Sequence, residues 1–166
     1  SNGFVCLSQV NAEKSIFILD RCSEGRTIPD KQGVGLARKL GMDLGLRLIQ
    51  QQAQKTGRRV PWMHSCDADV CLPLGYFDIP APQKNEAAAL YPFKHIAEKG
   101  YEQAMALYDF SLRYYVDKLS SANSPYAFHT IGSLIAVAPL AYAQVRGIPK
   151  RSGAEDFYLL NKLALL

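Results

Sequence analysis

Apolar residues recur along the chain in two different periods, and the switches between them predict its elements. Apolar runs at residues 4–10 and 16–19 read as strands, the second closing on Asp20. Only residues 12–15 separate them, while parallel neighbours need a crossover of about a dozen residues or more. Either the two strands form a hairpin or a segment is absent from this sequence between them, and the second is our expectation. A polar turn at 20–26 leads to a helix over 33–55, where Leu36, Ala37, Leu40, Leu44 and Leu48 keep a core-facing spacing and Gly57 is a natural stop. The run Val60-Pro61-Trp62-Met63-His64-Ser65-Cys66 predicts a buried strand that ends on Asp67-Ala68-Asp69. Pro73, Gly75, Pro80 and Pro82 mark a loop, and 87–93 reads as another strand.

The second half continues the alternation. A helix is expected over 101–119, with Ala104, Leu107, Tyr108, Leu112 and Tyr115 at helical intervals and its aromatics in the core. Residues 126–129 are short and strand-like, and 134–138 form a further strand. Pro139 opens a short helix to about 145. A basic loop over 146–153 then delivers Glu155 and Asp156 to a last helix over 157–166. Strands alternating with helices predict an α/β sheet with helices on its faces, as one domain over 1–166.

Composition narrows the function without naming it. The chain has 166 residues, 48% hydrophobic and 20% charged, which suits one globular domain with a sizeable core. The net charge of +4 is mild, and its cations are scattered along the chain. Aromatic and basic residues do not interleave, so a nucleic-acid platform is not expected. The four cysteines form no C-x-x-C pair and none stands at zinc-finger spacing to His64, His95 or His129. They are expected as small core residues, the thiols pointing to a reducing, cytoplasmic compartment. No apolar run is long enough for a transmembrane segment.

The candidate chemistry lies in acids at element ends. Extended backbone alternates its side chains, so Asp67 and Asp69 would face one way past the strand and offer oxygen ligands to Mg²⁺ or Mn²⁺. For an isolated pair, two solvated acids in a turn is the commoner arrangement. Gly33 and Gly35 at a helix start permit close backbone approach, and free amides there favour an anion such as a phosphate. Arg38, one turn in, reaches that anion or sits in solvent. Asp156 could simply cap the final helix, and Asp20 simply end a strand. His64 is expected to be structural, and His95 and His129 to be hydrogen-bonded core histidines.

Taken together, four features resemble an inverting, family-two-type nucleotide-diphospho-sugar glycosyltransferase over nearly the whole chain. They are Asp20 after the second strand, Gly33-Val34-Gly35-Leu36-Ala37-Arg38-Lys39 opening a helix, Asp67-Ala68-Asp69, and Gly153-Ala154-Glu155-Asp156. The resemblance implies the GT-A fold, a mostly parallel sheet flanked by helices, together with a nucleotide-diphospho-sugar donor, an acceptor it does not name and a Mg²⁺ or Mn²⁺ ion. It also implies a helix between the first two strands, hence the expectation of a missing segment. By the same resemblance Asp20 would sit by the nucleotide base, with Gly35 and Arg38 on the donor side. Asp67 would lie near the ribose or diphosphate, Asp69 would hold the metal, and Asp156 would be the general base beside Glu155.

Two other readings stay open. Phosphatases of the haloacid-dehalogenase type also place D-x-D after an apolar strand, the first Asp as nucleophile. They usually carry Thr or Val two residues on, where this chain has Cys71. The third is a domain that binds a sugar nucleotide without turning it over.

Overall fold

The computed structural model describes residues 5–11 and 14–166. Its centre is a strand whose sequence is apolar at every position. Strand β5 (Ile135–Val137) is buried on both faces, and both of its neighbours run antiparallel to it. On one side lies β3 (Met63–Ser65), pairing Met63 with Val137. On the other lies β4 (Ala88–Leu90), pairing Ala88 with the same residue. A strand flanked on both edges and covered on both faces has no exposed side to mark, which explains the uninterrupted apolar run.

The large parallel sheet implied by the resemblance is therefore not what the described residues form. The chain is mixed α and β in one small domain with small antiparallel sheets. Strands β1 (Val5–Gln9) and β2 (Ser15–Leu19) pair antiparallel in a second, two-stranded sheet, with Val5 opposite Leu19. A hairpin needs no crossover, so the short connector suffices. Ala12 and Glu13 of that connector, Phe4 of the expected first strand and the Cys6 side chain lie outside the described residues.

Helix α1 packs on the three-stranded sheet at β3, and residues of two later helices join its core. Helix α1 (Gly33–Thr56) stops at Gly57, which takes the left-handed conformation and donates its amide to the Ala53 carbonyl. It contacts β3, burying Gly35, Leu36 and Met42. Leu40, Leu44 and Leu48 are only half-buried, and Ala37 is exposed, because the burying stripe runs through Met42 instead. Helices α2 (Glu102–Ser121), α3 (Pro139–Gln144) and α4 (Glu155–Leu163) complete the order. The core joins β3 and β5 to Tyr142, Ile148, Leu159, Leu160 and Leu163.

Two expectations fail at α2 and the cysteines. Of α2's residues only Asp109 is buried, while Ala104, Leu107, Tyr108 and Tyr115 are exposed, so its aromatics are not core. Polar contacts fasten it: Asp109 Oδ1 lies 2.5 Å from His95 Nδ1, and Arg113 donates to the Phe93 carbonyl at 2.7 Å. Cys22, Cys66 and Cys71 are free thiols as expected, yet all three are exposed. Residues 126–129 are a turn and irregular chain, with no strand.

Candidate active site around Arg38

Close backbone approach at the head of α1 is real, and its partner is the chain itself. The Gly35 amide donates to the Arg151 carbonyl at 2.9 Å. A Cβ on Gly35 would stand 2.5 Å from the carbonyl oxygens of both Pro149 and Arg151, and one on Gly33 would stand 2.9 Å from Ser152 Cα. Glycine here lets the helix start lie against the loop that precedes α4. It also means that one amide expected to be free for an anion is already bonded.

This seam aims Arg38 across the sheet end. Its Nη1 donates to Ser65 Oγ at 2.7 Å and to the Gly132 carbonyl at 3.1 Å, and its Nη2 pairs with Asp67 Oδ1. Nε lies 3.0 Å from Glu155 Oε1, close as a charge pair without the alignment of a hydrogen bond. Glu155 is 5% exposed and opens α4, where helix-start amides favour a carboxylate. Gly132 is needed for the guanidinium to pass, since a Cβ there would lie 2.9 Å from Arg38 Cζ. One cation thus links the head of α1, the end of β3, the turn before β5 and the start of α4.

The acids divide accordingly. Asp67 and Glu155 meet on Arg38, and Asp156 lines the same cavity as Arg38, Ser65 and Glu155. That cavity is only about 10 Å³, room for roughly one water. Asp156 Oδ1 accepts the Phe157 amide at 2.7 Å. The common face expected for Asp67 and Asp69 does not arise, because β3 ends at Ser65 and Ala68-Asp69 form a turn. Asp67 goes to Arg38 and Asp69 stands exposed.

Asp20 stands apart in its own turn. It accepts the Cys22 and Ser23 amides at 3.1 Å and Arg26 Nη1 at 2.9 Å. The Ser23 amide first, then the Cys22 amide and Arg26, hold its carboxyl far below the usual range. His64 lies within β3, where its Nδ1 meets Tyr91 Oη at 3.1 Å among the rings of Tyr76, Phe77 and Tyr91, and burial lowers its pKa.

Ser65 and Gly132 were not singled out from sequence as partners of Arg38. The Gly132-Ser133 break ahead of an apolar strand was the available signal for the second; nothing in the pattern marked the first. Among the described residues no three His, Cys, Asp or Glu side chains gather as a metal site. What the chain offers is the exposed Asp69, since Asp67 is paired with Arg38. One or two carboxylates fit Mg²⁺ when water and phosphate oxygens complete its shell. No helix among the described residues is long and apolar enough to cross a membrane. No family model matches the chain, and neither a curated protein nor a solved structure does.

Proposed function

We propose that the chain is an inverting glycosyltransferase that moves a sugar from a nucleotide-diphosphate donor to an acceptor hydroxyl. The observation that carries this reading is Arg38 touching both Asp67 and Glu155. Three segments that resemble the family's motifs, separated by up to more than a hundred residues, come together on one guanidinium. The proposal keeps the order of those motifs and not the parallel GT-A sheet, since every described strand pairing is antiparallel. A cytoplasmic setting belongs to it as well.

The chemistry assigns work to each acid. The leaving nucleoside diphosphate gains negative charge as the sugar–oxygen bond breaks, and Arg38, already paired with Asp67 and Glu155, would offset that charge only by exchanging the exposed Asp67 for a phosphate oxygen. Asp69 would hold a Mg²⁺ or Mn²⁺ ion, which supplies Lewis-acid stabilisation of that charge when bound. Asp156 would take the acceptor's proton through the carboxylate oxygen not given to Phe157, a contribution of roughly 10²- to 10⁴-fold. Attack opposite the leaving group inverts the anomeric centre in one displacement. Asp20 would serve the donor only after releasing its turn, so its role at the base is the least supported part.

A second reading, a binding domain without turnover, has an observation in its favour. The cavity at Arg38 has room for about one water, and one oxygen of Asp156 accepts the Phe157 amide. A panel of sugar nucleotides with Mg²⁺ or Mn²⁺ separates the readings. Transfer predicts metal-dependent release of the nucleoside diphosphate, weakened donor binding in Asp69→Asn, and intact binding without transfer in Asp156→Asn. Undiminished transfer in Asp156→Asn removes the base. Thermal stabilisation without release identifies the binder, and phosphate release from a generic monoester identifies the phosphatase.

A further inference from the structure

A second cavity shares no lining residue with the one at Arg38. It is an open groove of about 1000 Å³ between the C-terminal half of α1, residues 58–60, the 82–87 segment and α3. Sites for small ligands commonly measure roughly 300–1,000 Å³, whereas the cavity at Arg38 holds only about 10 Å³. Leu46 and Ile49 of α1 line the groove, with Ala138 and Leu140 facing it from the start of α3. Leu140 is 71% exposed, a large apolar side chain that the fold leaves in water. No aromatic ring is among the described residues that line the groove. Its walls therefore suit an aliphatic body better than a stacked base or ring.

Charge decides the other end of the occupant. Arg58, Arg59 and Lys84 line the groove at exposed positions, and none of the three has an ion-pair partner among the described residues. Glu86 is the acidic side chain on the lining, and its Oε2 accepts the Gln83 amide at 2.9 Å. Neither it nor the carboxylate of Leu166, which also lines the groove, pairs with those cations. We propose that the groove binds a single-chain aliphatic anion, its chain against Leu46, Ile49 and Leu140 and its carboxylate or phosphate head on Arg58, Arg59 and Lys84. The guanidinium fork matches either head, and hydrogen bonds between charged partners are roughly twice as strong as neutral ones. Arg58 and Arg59 are consecutive, which gathers charge for one compact head. An acidic peptide laid along the groove would instead need cations spread along it. The proposal uses no residue of the Arg38 site and stands or falls apart from the glycosyltransferase reading.

Titration calorimetry of the whole chain with decanoate and with decyl phosphate, each below its micellar concentration, tests this. At least one should bind once per chain, and the tighter of the two assigns the head group. Arg58→Ala combined with Arg59→Ala should weaken binding at least tenfold, and Leu140→Asp should do so from the apolar side. Circular dichroism should stay unchanged in both variants, because all three positions are exposed. 1-Decanol, which lacks the charge, and acetate or inorganic phosphate, which lack the chain, should each bind at least tenfold more weakly. Failure of both amphiphiles to bind, uptake of many per chain, equal binding of 1-decanol, or an affinity unchanged in the double arginine variant would overturn the proposal. A helical peptide of Leu and Glu that binds the wild-type chain and is not displaced by decanoate or decyl phosphate would overturn it in favour of a protein partner.

Discussion

Arg38 carries more of the site than any other residue, and its worth follows from what its removal would strand. Glu155 is nearly inaccessible and its other neighbours are largely apolar. Losing one member of such a pair leaves a buried charge uncompensated, at a cost of roughly 3–5 kcal/mol. Arg38→Met should therefore lower the free energy of unfolding by an amount of that size. Arg38→Met combined with Glu155→Leu should recover much of the loss, because an apolar pair needs no counter-charge. A chemical-denaturation series on the single and double variants checks this, and a single variant as stable as wild type refutes it. Arg38 could be flagged in the sequence because it falls one turn after two glycines. Its partners could not, because Ser65 and Gly132 reach it only once β3 and β5 are paired.

Among the elements, α1 shows most plainly where pattern suffices. Its bounds were legible to within a residue, since a long helical period ends at a glycine that adopts a positive φ. Its glycines divide by surroundings. A Cβ on Gly35 meets two backbone oxygens, whereas one on Gly45 meets nothing within 4 Å. Gly35→Ala should thus destabilise by roughly 1–3 kcal/mol and part α1 from the 149–152 loop. Gly45→Ala should stabilise by about 0.5–1 kcal/mol, as expected inside a helix. Urea midpoints of the two variants should move in opposite directions; the same direction for both would refute the packing described here. Helix α4 starts two residues ahead of the expected Phe157, because acids such as Glu155 and Asp156 commonly fill a first helical turn although they also suit a loop. In α2 the period identified a helix correctly but not its buried side. Apolar residues cover most of its circumference, and a polar group, Asp109, is what docks.

For the molecule as a whole, sequence conveyed class and element order but not strand direction. A short apolar run such as 135–137 says that a strand is buried and nothing about which neighbours flank it or which way they run. The acid limb of stability is a property at this scale. Burial lowers the pKa of His64, and burial with the nearby Arg113 lowers that of His129, from the ordinary 6.5. Asp20, Glu102 and Asp109 are held below the ordinary carboxylate range, Asp109 chiefly by its bond from His95. All five folded values are depressed, so the unfolded chain takes up each proton first as pH falls. Stability should decline in two stages, from about pH 6.5 downward for the histidines and from about pH 4 for the carboxylates. Urea midpoints between pH 8 and 3 should show both, and His64→Gln with His129→Gln should flatten the first; a flat profile from pH 7 to 5 in the wild-type chain would contradict it.

The reading of the whole chain as a donor-binding enzyme meets its most direct test in titration calorimetry of nucleoside diphosphates with Mn²⁺ or Mg²⁺. At least one member of a panel covering the common bases should bind in a metal-dependent way, with affinity at least tenfold weaker in Asp69→Asn. Failure of every nucleotide to bind with either metal, or binding that Asp69→Asn leaves unchanged, would contradict it.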